Sequence, residues 1–170
     1  EHCAPNTLAY MGKPPIETFN KFKDKFYELS KKAGKKQYLV PYLMSSHPGC
    51  TLSDAVKLAE FLHKNGRTPE QVQDFYPTPG TLSTCMYYTG IDPRDMSAVY
   101  VARDPRDKAM QRALLQWSRP EKRALVVEAL EETGRTDLIG YGKECLLRPR
   151  KGEPYGQPPA KPEKPERPAR

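Results

Sequence analysis

The chain has 170 residues, which is the length of one ordinary domain, and a formal net charge of +7. The positive charge is compatible with a polyanionic partner such as nucleic acid. It contains no apolar run of about 18 residues and no apolar leader, so we expect no membrane segment. Four cysteines without a C-x-x-C pair are typical of reduced thiols rather than a disulfide framework, which predicts a cytoplasmic protein.

The last part of the sequence differs in composition from the rest. Residues 149–170 hold seven of the eighteen prolines, many basic residues and almost no apolar side chains. This composition predicts a disordered, extended tail rich in Pro, Lys and Arg. The basic residues there, and the lysines at 31, 32, 35 and 36, can be solvated charges or phosphate contacts, and solvated charge is the commoner case.

The first strong helix signal covers residues 16–33. Apolar residues follow a spacing of three and four, and Gly34 stands where a left-handed C-terminal cap is favoured. The apolar run 37–46 then predicts a strand buried on both faces, as in a parallel sheet. Pro41 lacks an N–H for the ladder, so we expect a bulge or an edge there.

A second helix is predicted from a capping box. Thr51 and Asp54 can cap a helix that runs to Asn65, with a buried stripe of Ala55, Val56, Ala59 and Leu62. Residues 70–76 give the next strand. Strand, helix and strand within about 40 residues predict a βαβ crossover and an α/β fold.

The region after Gly90 predicts a helical extension. Residues 97–103 could form one further strand, and Asp104-Pro105 starts a helix that ends near Trp117. Ser118 and Glu121 then suggest a capping box for a helix through Thr133. Its expected buried stripe is Ala124, Leu125, Val127 and Leu130.

Each predicted strand of the crossover is followed by a Pro-Gly turn, at 45–51 and at 76–81. Ligands of parallel sheets bind beyond the carboxyl ends of the strands, where loops leave backbone groups unpaired. Glycine permits a close approach of the backbone, and proline fixes its path. The two turns therefore indicate either a binding rim or tight turns that serve only the topology.

The residues that could carry chemistry have simpler explanations. His47 has no acidic neighbour in sequence and is more often a surface turn residue than a base. Tyr87 and Tyr88 could stack on a base, but they lie far from the lysine clusters in sequence. The cysteine spacing fits no metal site. We predict no catalytic residue and no metal ligand in this chain.

Three segments resemble a known family: "EHCAPNTLAYMGKP", "YLVPYLMSSHPGCTLSDAVKLAEFL" and "VQDFYPTPGTLSTCMYYTGIDP". Together they look like the C-terminal part of the YgiQ-type radical SAM proteins, and the run "QDFYPTPGTLSTCMYYTG" is highly specific. The resemblance implies a partial (β/α) barrel that holds a [4Fe-4S] cluster and S-adenosylmethionine. It also implies a C-terminal extension of unknown role.

The resemblance implies cofactor-facing positions at the mouth of the barrel. Ser46, Pro48, Gly49 and Thr51 match a Gly-x-Pro-Gly-Glu-Thr turn of the wider group, with Ser for the first Gly and Cys50 for Glu. Thr78 to Thr81 match a later Arg-Pro-Gly-Thr turn, with Thr in place of Arg. The residues expected to line the cofactor in the parent protein are Glu1, His2, Ser45, Ser46, Pro77 and Gly80.

The resemblance also divides the chain. It implies barrel units at 1–82, the helical extension at 83–148 and the tail at 149–170. The C-x3-C-x2-C triplet that holds the cluster in this superfamily does not occur, so we expect a fragment that is inactive alone and holds neither cofactor. Its expected partner is the N-terminal part of the same protein, and an exposed strand edge would favour self-association. The alternative is a non-catalytic module that binds a macromolecular substrate such as RNA.

Overall fold

The structure, a computed structural model, describes residues 1–66 and 68–156. In chain order its helices and strands are α1 (Pro5–Tyr10), α2 (Ile16–Lys32), β1 (Met44–Ser45), α3 (Leu52–Lys64), β2 (Gln73–Asp74), α4 (Leu82–Thr89), α5 (Pro105–Leu115) and α6 (Arg123–Glu132). Short 3-10 helices occur at Pro120–Lys122 and Thr136–Leu138. The predicted tail begins at residue 149, but Arg123 pairs with Glu153 and Tyr155 packs against the core. Residues 157–170 lie outside the described part.

Four predicted helices, α2, α3, α5 and α6, are confirmed, and local chemistry explains where α3 and α5 begin. Thr51 and Asp54 form the expected capping box of α3, since each side chain accepts from the other residue's backbone N–H. Asp104 caps α5, and Pro105 occupies its first turn. Helix α2 also forms as predicted, but Phe22 and Leu29 on its apolar face are 55% and 51% exposed.

The predicted βαβ unit is confirmed, although its strands are short. β1 and β2 pair in parallel, with Met44 opposite Gln73 and Ser45 opposite Asp74, and α3 connects them. The predicted strands 37–46 and 70–76 are therefore wrong in length. A strand requires a hydrogen-bonded neighbour, and no second ladder covers residues 37–43 among the described positions. The structure establishes a two-stranded parallel sheet with helices, and the barrel stays a prediction.

Two predictions for the extension are wrong. Residues 97–103 form no strand; a single antiparallel bridge joins Ile91 to Ala98, and the apolar signal came from Val99 and Ala102, which are buried in a loop. The Ser118 capping box is absent, because a 3-10 turn precedes α6 and no side chain caps it. The buried side of α6 is Val126, Ala129 and Leu130, while Ala124 is exposed.

One core joins the βαβ unit to the extension. Leu58 and Leu62 of α3 belong to the same buried cluster as Leu114 of α5 and Leu130 of α6. Burial of such side chains contributes about 1.5–3 kcal/mol each, so this cluster fixes how the extension sits on the crossover. None of the described helices has the length and apolarity that crossing a bilayer requires.

Candidate functional site

The two Pro-Gly turns lie next to each other, as the parallel pairing of β1 and β2 requires. The Phe75 amide donates to the Ser45 carbonyl at 2.8 Å, which continues the ladder to the start of both turns. The His47 ring stands edge-on to Phe75, with 5.1 Å between the ring centroids. The prediction that both turns leave the same edge of one sheet is thus confirmed.

Ser46 is strained and lacks a side-chain partner. Its φ is +60°, a left-handed conformation that costs a non-glycine residue about 1–2 kcal/mol. It is 2% exposed, and its hydroxyl has no hydrogen-bond partner among the described residues. Its amide donates to Gln111 Oε1 at 3.2 Å, so α5 holds the strained backbone in place. Such outliers cluster at ligand sites.

Gly49 is enclosed on two sides, so no larger residue fits there. Its φ is +84°, and a Cβ at this position would lie 2.0 Å from Cδ2 of the Tyr10 ring. Its amide donates to the Tyr100 carbonyl at 2.7 Å. The first turn is therefore held between α1 and the loop that follows α4.

His47 is a buried neutral base rather than the expected surface residue. It is 5% exposed, and burial lowers its pKa. Nδ1 lies 2.7 Å from the Pro48 carbonyl, which can only accept, so Nδ1 carries the proton. Nε2 then accepts from the Ser83 hydroxyl at 3.0 Å. This pair joins the first Pro-Gly turn to the start of α4.

His2 and Cys50 form a second buried pair. The Ala4 amide donates to His2 Nδ1 at 3.0 Å, which leaves the ring proton on Nε2, 3.5 Å from Cys50 Sγ. Burial lowers the pKa of His2 to about 4 and raises the pKa of Cys50 to about 12. Both groups are neutral at pH 7, so Cys50 is not a nucleophilic thiolate. Within residues 1–66 and 68–156, no group of three or more His, Cys, Asp or Glu side chains could hold a metal.

Ser45 links the two strands to α5. Its hydroxyl donates to Asp74 Oδ1 at 2.5 Å, and Arg112 Nε donates to the same oxygen at 2.8 Å. Sequence reasoning missed Asp74, Ser83, Gln111 and Arg112 as site residues, because they follow Ser45 by 29 to 67 positions and no local motif marks them. The one available signal was Thr81 before "LSTCMYYT", a helix cap that indicates α4.

The six predicted site residues have different environments. His2, Ser45 and Ser46 are buried, Pro77 is half-buried, and Glu1 and Gly80 are exposed. Glu1 and His2 also line an apolar cleft of about 360 Å³ between α2, residues 39–43 and α3, and this cleft includes none of the turn residues 45–51 or 76–81. The structure brings Ser45 to the start of the second turn, Ser46 contacts Gln111 of α5, and Gly80 has open space around it.

A family model described as "Domain of unknown function (DUF3362)" matches residues 70–169. The chain belongs to this family. The DUF3362 match includes β2, the second turn and all of the described extension. No solved structure matches the chain.

Curated relatives of this DUF3362 chain are UPF0313 proteins. One from Clostridium perfringens is 57% identical over 148 residues, which is 87% of this chain and 22% of the relative. Others from Methanocella arvoryzae and Clostridium botulinum are 50% and 52% identical over 158 residues, 93% of this chain and 26% and 24% of the relatives. The chain thus spans about a quarter of the length of these proteins. It corresponds to the C-terminal part of a UPF0313, or YgiQ-type, protein, so that resemblance is confirmed.

Proposed function

We propose that this chain is the C-terminal part of a radical SAM enzyme and completes the mouth of its S-adenosylmethionine-binding barrel. Glu1, His2, Ser45, Ser46, Pro77 and Gly80 would line the cofactor in the whole protein. The substrate class and the reaction of that protein are not part of the proposal. The chain alone would not be catalytic.

The observation that carries the proposal is the position of the two Pro-Gly turns. They leave the carboxyl ends of two parallel strands side by side, which is where α/β proteins bind their ligands. The strained backbone of Ser46 supports a ligand-facing role, because such strain persists only where the surrounding structure maintains it. Gln111 supplies that support by accepting from the Ser46 amide, and the Tyr100 carbonyl holds Gly49 of the same turn.

The residues present fit S-adenosylmethionine better than they fit the cluster. The unpartnered Ser46 hydroxyl and the open backbone at Gly80 are polar groups that an adenosyl moiety could engage. The chain contains no cysteine triplet, and no three described side chains could hold a metal. The cluster ligands must therefore come from the remaining three quarters of the parent protein.

In the whole enzyme, cluster and cofactor together would supply a 5′-deoxyadenosyl radical. The residues of this chain would position and shield it. Ser45, bonded to Asp74, fixes the end of β1, and the neutral His47 holds α4 against the first turn. Cys50 of the first turn is buried as a neutral thiol, so it offers no thiolate that would react with the cofactor.

The exposed apolar surface of α2 supports the view that the rest of the parent protein packs here. Phe22 and Leu29 are about half exposed, and an apolar cleft separates α2 from α3. Exposed apolar side chains beside an apolar cleft are typical of an interaction site. In the parent protein the preceding barrel units would cover it.

The test uses the full-length parent, reconstituted with iron and sulfide without oxygen and then reduced. We expect it to convert S-adenosylmethionine to 5′-deoxyadenosine, and we expect Ser45→Ala to weaken cofactor binding. Ser118→Ala, at an exposed serine in the extension, is the matched control. A full-length protein without a cluster signal and without 5′-deoxyadenosine contradicts the proposal. Product formation with unchanged binding in Ser45→Ala contradicts only the assignment of this residue.

A further inference from the structure

A row of aromatic rings runs from the first turn to the surface of α4. Successive centroids are 5.1 Å apart from His47 to Phe75, 5.5 Å from Phe75 to Tyr87, and 5.3 Å from Tyr87 to Tyr88. The inner end is buried and the outer ring, Tyr88, is 67% exposed. Packing against the inner rings restrains the outer ones, so little conformational entropy would be lost when another flat group stacks there.

Two cations flank the outer rings. Lys108 Nζ lies 5.4 Å from the centroid of the Tyr87 ring and donates to its hydroxyl at 3.2 Å. Arg103 Nη2 donates to the carbonyls of Tyr87 and Tyr88 at 2.9 and 3.0 Å, which cap the end of α4. Neither Arg103 nor Lys108 has a carboxylate partner among the described residues, so both positive charges are available to a bound anion.

Two cations outside the lysine clusters, Arg103 and Lys108, lie next to these tyrosines. The two tyrosines and the two cations are 15 to 21 positions apart along the chain, and no local motif in the sequence marks them as a group. Lys108 of α5 and Arg103 of the loop before α5 nevertheless contact the end of α4 directly. Aromatic rings interleaved with cations are the arrangement that binds single-stranded nucleic acid.

We propose that Tyr87, Tyr88, Arg103 and Lys108 form a surface that binds single-stranded nucleic acid, with a base stacked on Tyr88 and phosphates beside the two cations. The net charge of +7 favours a polyanion over a single nucleotide. An acidic peptide would match the charge but would leave the exposed ring without a flat partner. The surface goes beyond the cofactor role proposed above and does not depend on it.

The experiment measures binding of the full 170-residue chain to a fluorescently labelled single-stranded RNA of mixed sequence, about 12 nucleotides long, by fluorescence anisotropy. Affinity is measured from low to moderate salt. Tyr88→Ala is compared with Tyr141→Ala, since Tyr141 is another exposed tyrosine, and Lys108→Ala with Lys64→Ala. Circular dichroism confirms that each variant is folded. Free adenosine monophosphate serves as competitor.

We expect Tyr88→Ala to weaken binding at least about fivefold, Tyr88→Phe to retain it, and Tyr141→Ala to leave it unchanged. Lys108→Ala should weaken binding and reduce the slope of log affinity against log salt by about 0.7. Equal affinity of wild type, Tyr88→Ala and Lys108→Ala overturns the proposal and indicates that other basic residues bind RNA. Absence of binding at low salt overturns it as well. Full competition by the mononucleotide at similar concentrations shows a nucleotide site instead.

Discussion

The two Pro-Gly turns are alike in sequence and differ in environment. In each, the glycine has a positive φ, +84° at Gly49 and +80° at Gly80, and the following threonine caps a helix. Residues 45–50 of the first turn are all buried, whereas residues 78–82 of the second are exposed. The comparison teaches that the Pro-Gly motif determines the local backbone conformation. The number of tertiary contacts decides how much each turn contributes to the stability of the protein.

The partners of the first turn come from both ends of the chain. Tyr10 covers Gly49 from α1, and Gln111 and Tyr100 bond its backbone from the extension. The second turn is stabilised mainly by its own residues, since Thr81 and Thr84 both donate to the Thr78 carbonyl. The first turn should therefore behave as core and the second as surface.

The largest effect should come from Gly49→Ala. The left-handed backbone costs about 1–2 kcal/mol and the clash with the Tyr10 ring a further 1–3 kcal/mol, so we expect a loss of about 3 kcal/mol or more. Gly80→Ala, at a similar φ with open space, should cost only the backbone part, about 1–2 kcal/mol. Urea unfolding measures both. Equal losses would contradict the difference between the turns.

Acid should lower the stability of the fold through the protonation of His2. Its folded pKa of about 4 lies below the unfolded value of 6.5, so the unfolded chain binds a proton that the folded chain does not. Stability is therefore unaffected above pH 6.5 and falls as the pH drops from 6.5 to 4, by about 3 kcal/mol. The lowered pKa of His47 acts in the same direction.

This pH effect is measured as a difference between proteins, because carboxylates also titrate in the same range. Unfolding free energies of wild type and His2→Gln are compared at pH 7 and at pH 4. The variant should lose less stability over this range than wild type. An identical loss in both proteins would show that His2 is not buried as described.

The two threonine caps provide a smaller comparison. Thr51→Ala removes the hydroxyl that accepts from the Asp54 amide and donates to Asp54 Oδ2 at a half-buried helix start, and should cost about 1–2 kcal/mol. Thr81→Ala removes a single exposed cap and should cost about 0.5–1 kcal/mol. Thermal unfolding of the two variants tests the order, and a larger loss for Thr81→Ala would reverse the comparison.

The smallest effect should be a gain. Ser46→Gly relieves the left-handed strain and removes a buried hydroxyl without a partner, so we expect about 1 kcal/mol of added stability. In the full-length parent the same change should weaken cofactor binding, because the proposed ligand-facing hydroxyl is gone. A destabilised variant would show that the Ser46 hydroxyl has a partner within the fold.

The accuracy of sequence reasoning followed how local each signal is. Helices α2, α3 and α5 and the order of the βαβ unit were predictable, because caps and apolar spacing act within a few residues. The absence of a strand at residues 37–43 was not predictable, because an apolar run becomes a strand only when a neighbouring strand pairs with it. The contacts of Ser46 and His47 with Gln111 and Ser83 were also out of reach, since tertiary packing alone brings them together.

The most direct test of the central claim is a structure of the full-length parent protein with S-adenosylmethionine bound. The account predicts that the adenosyl group contacts both turns, near Ser45 and Ser46 in the first and Pro77 and Gly80 in the second. A cofactor that contacts neither turn, or turns that lie at opposite ends of a barrel, would contradict it.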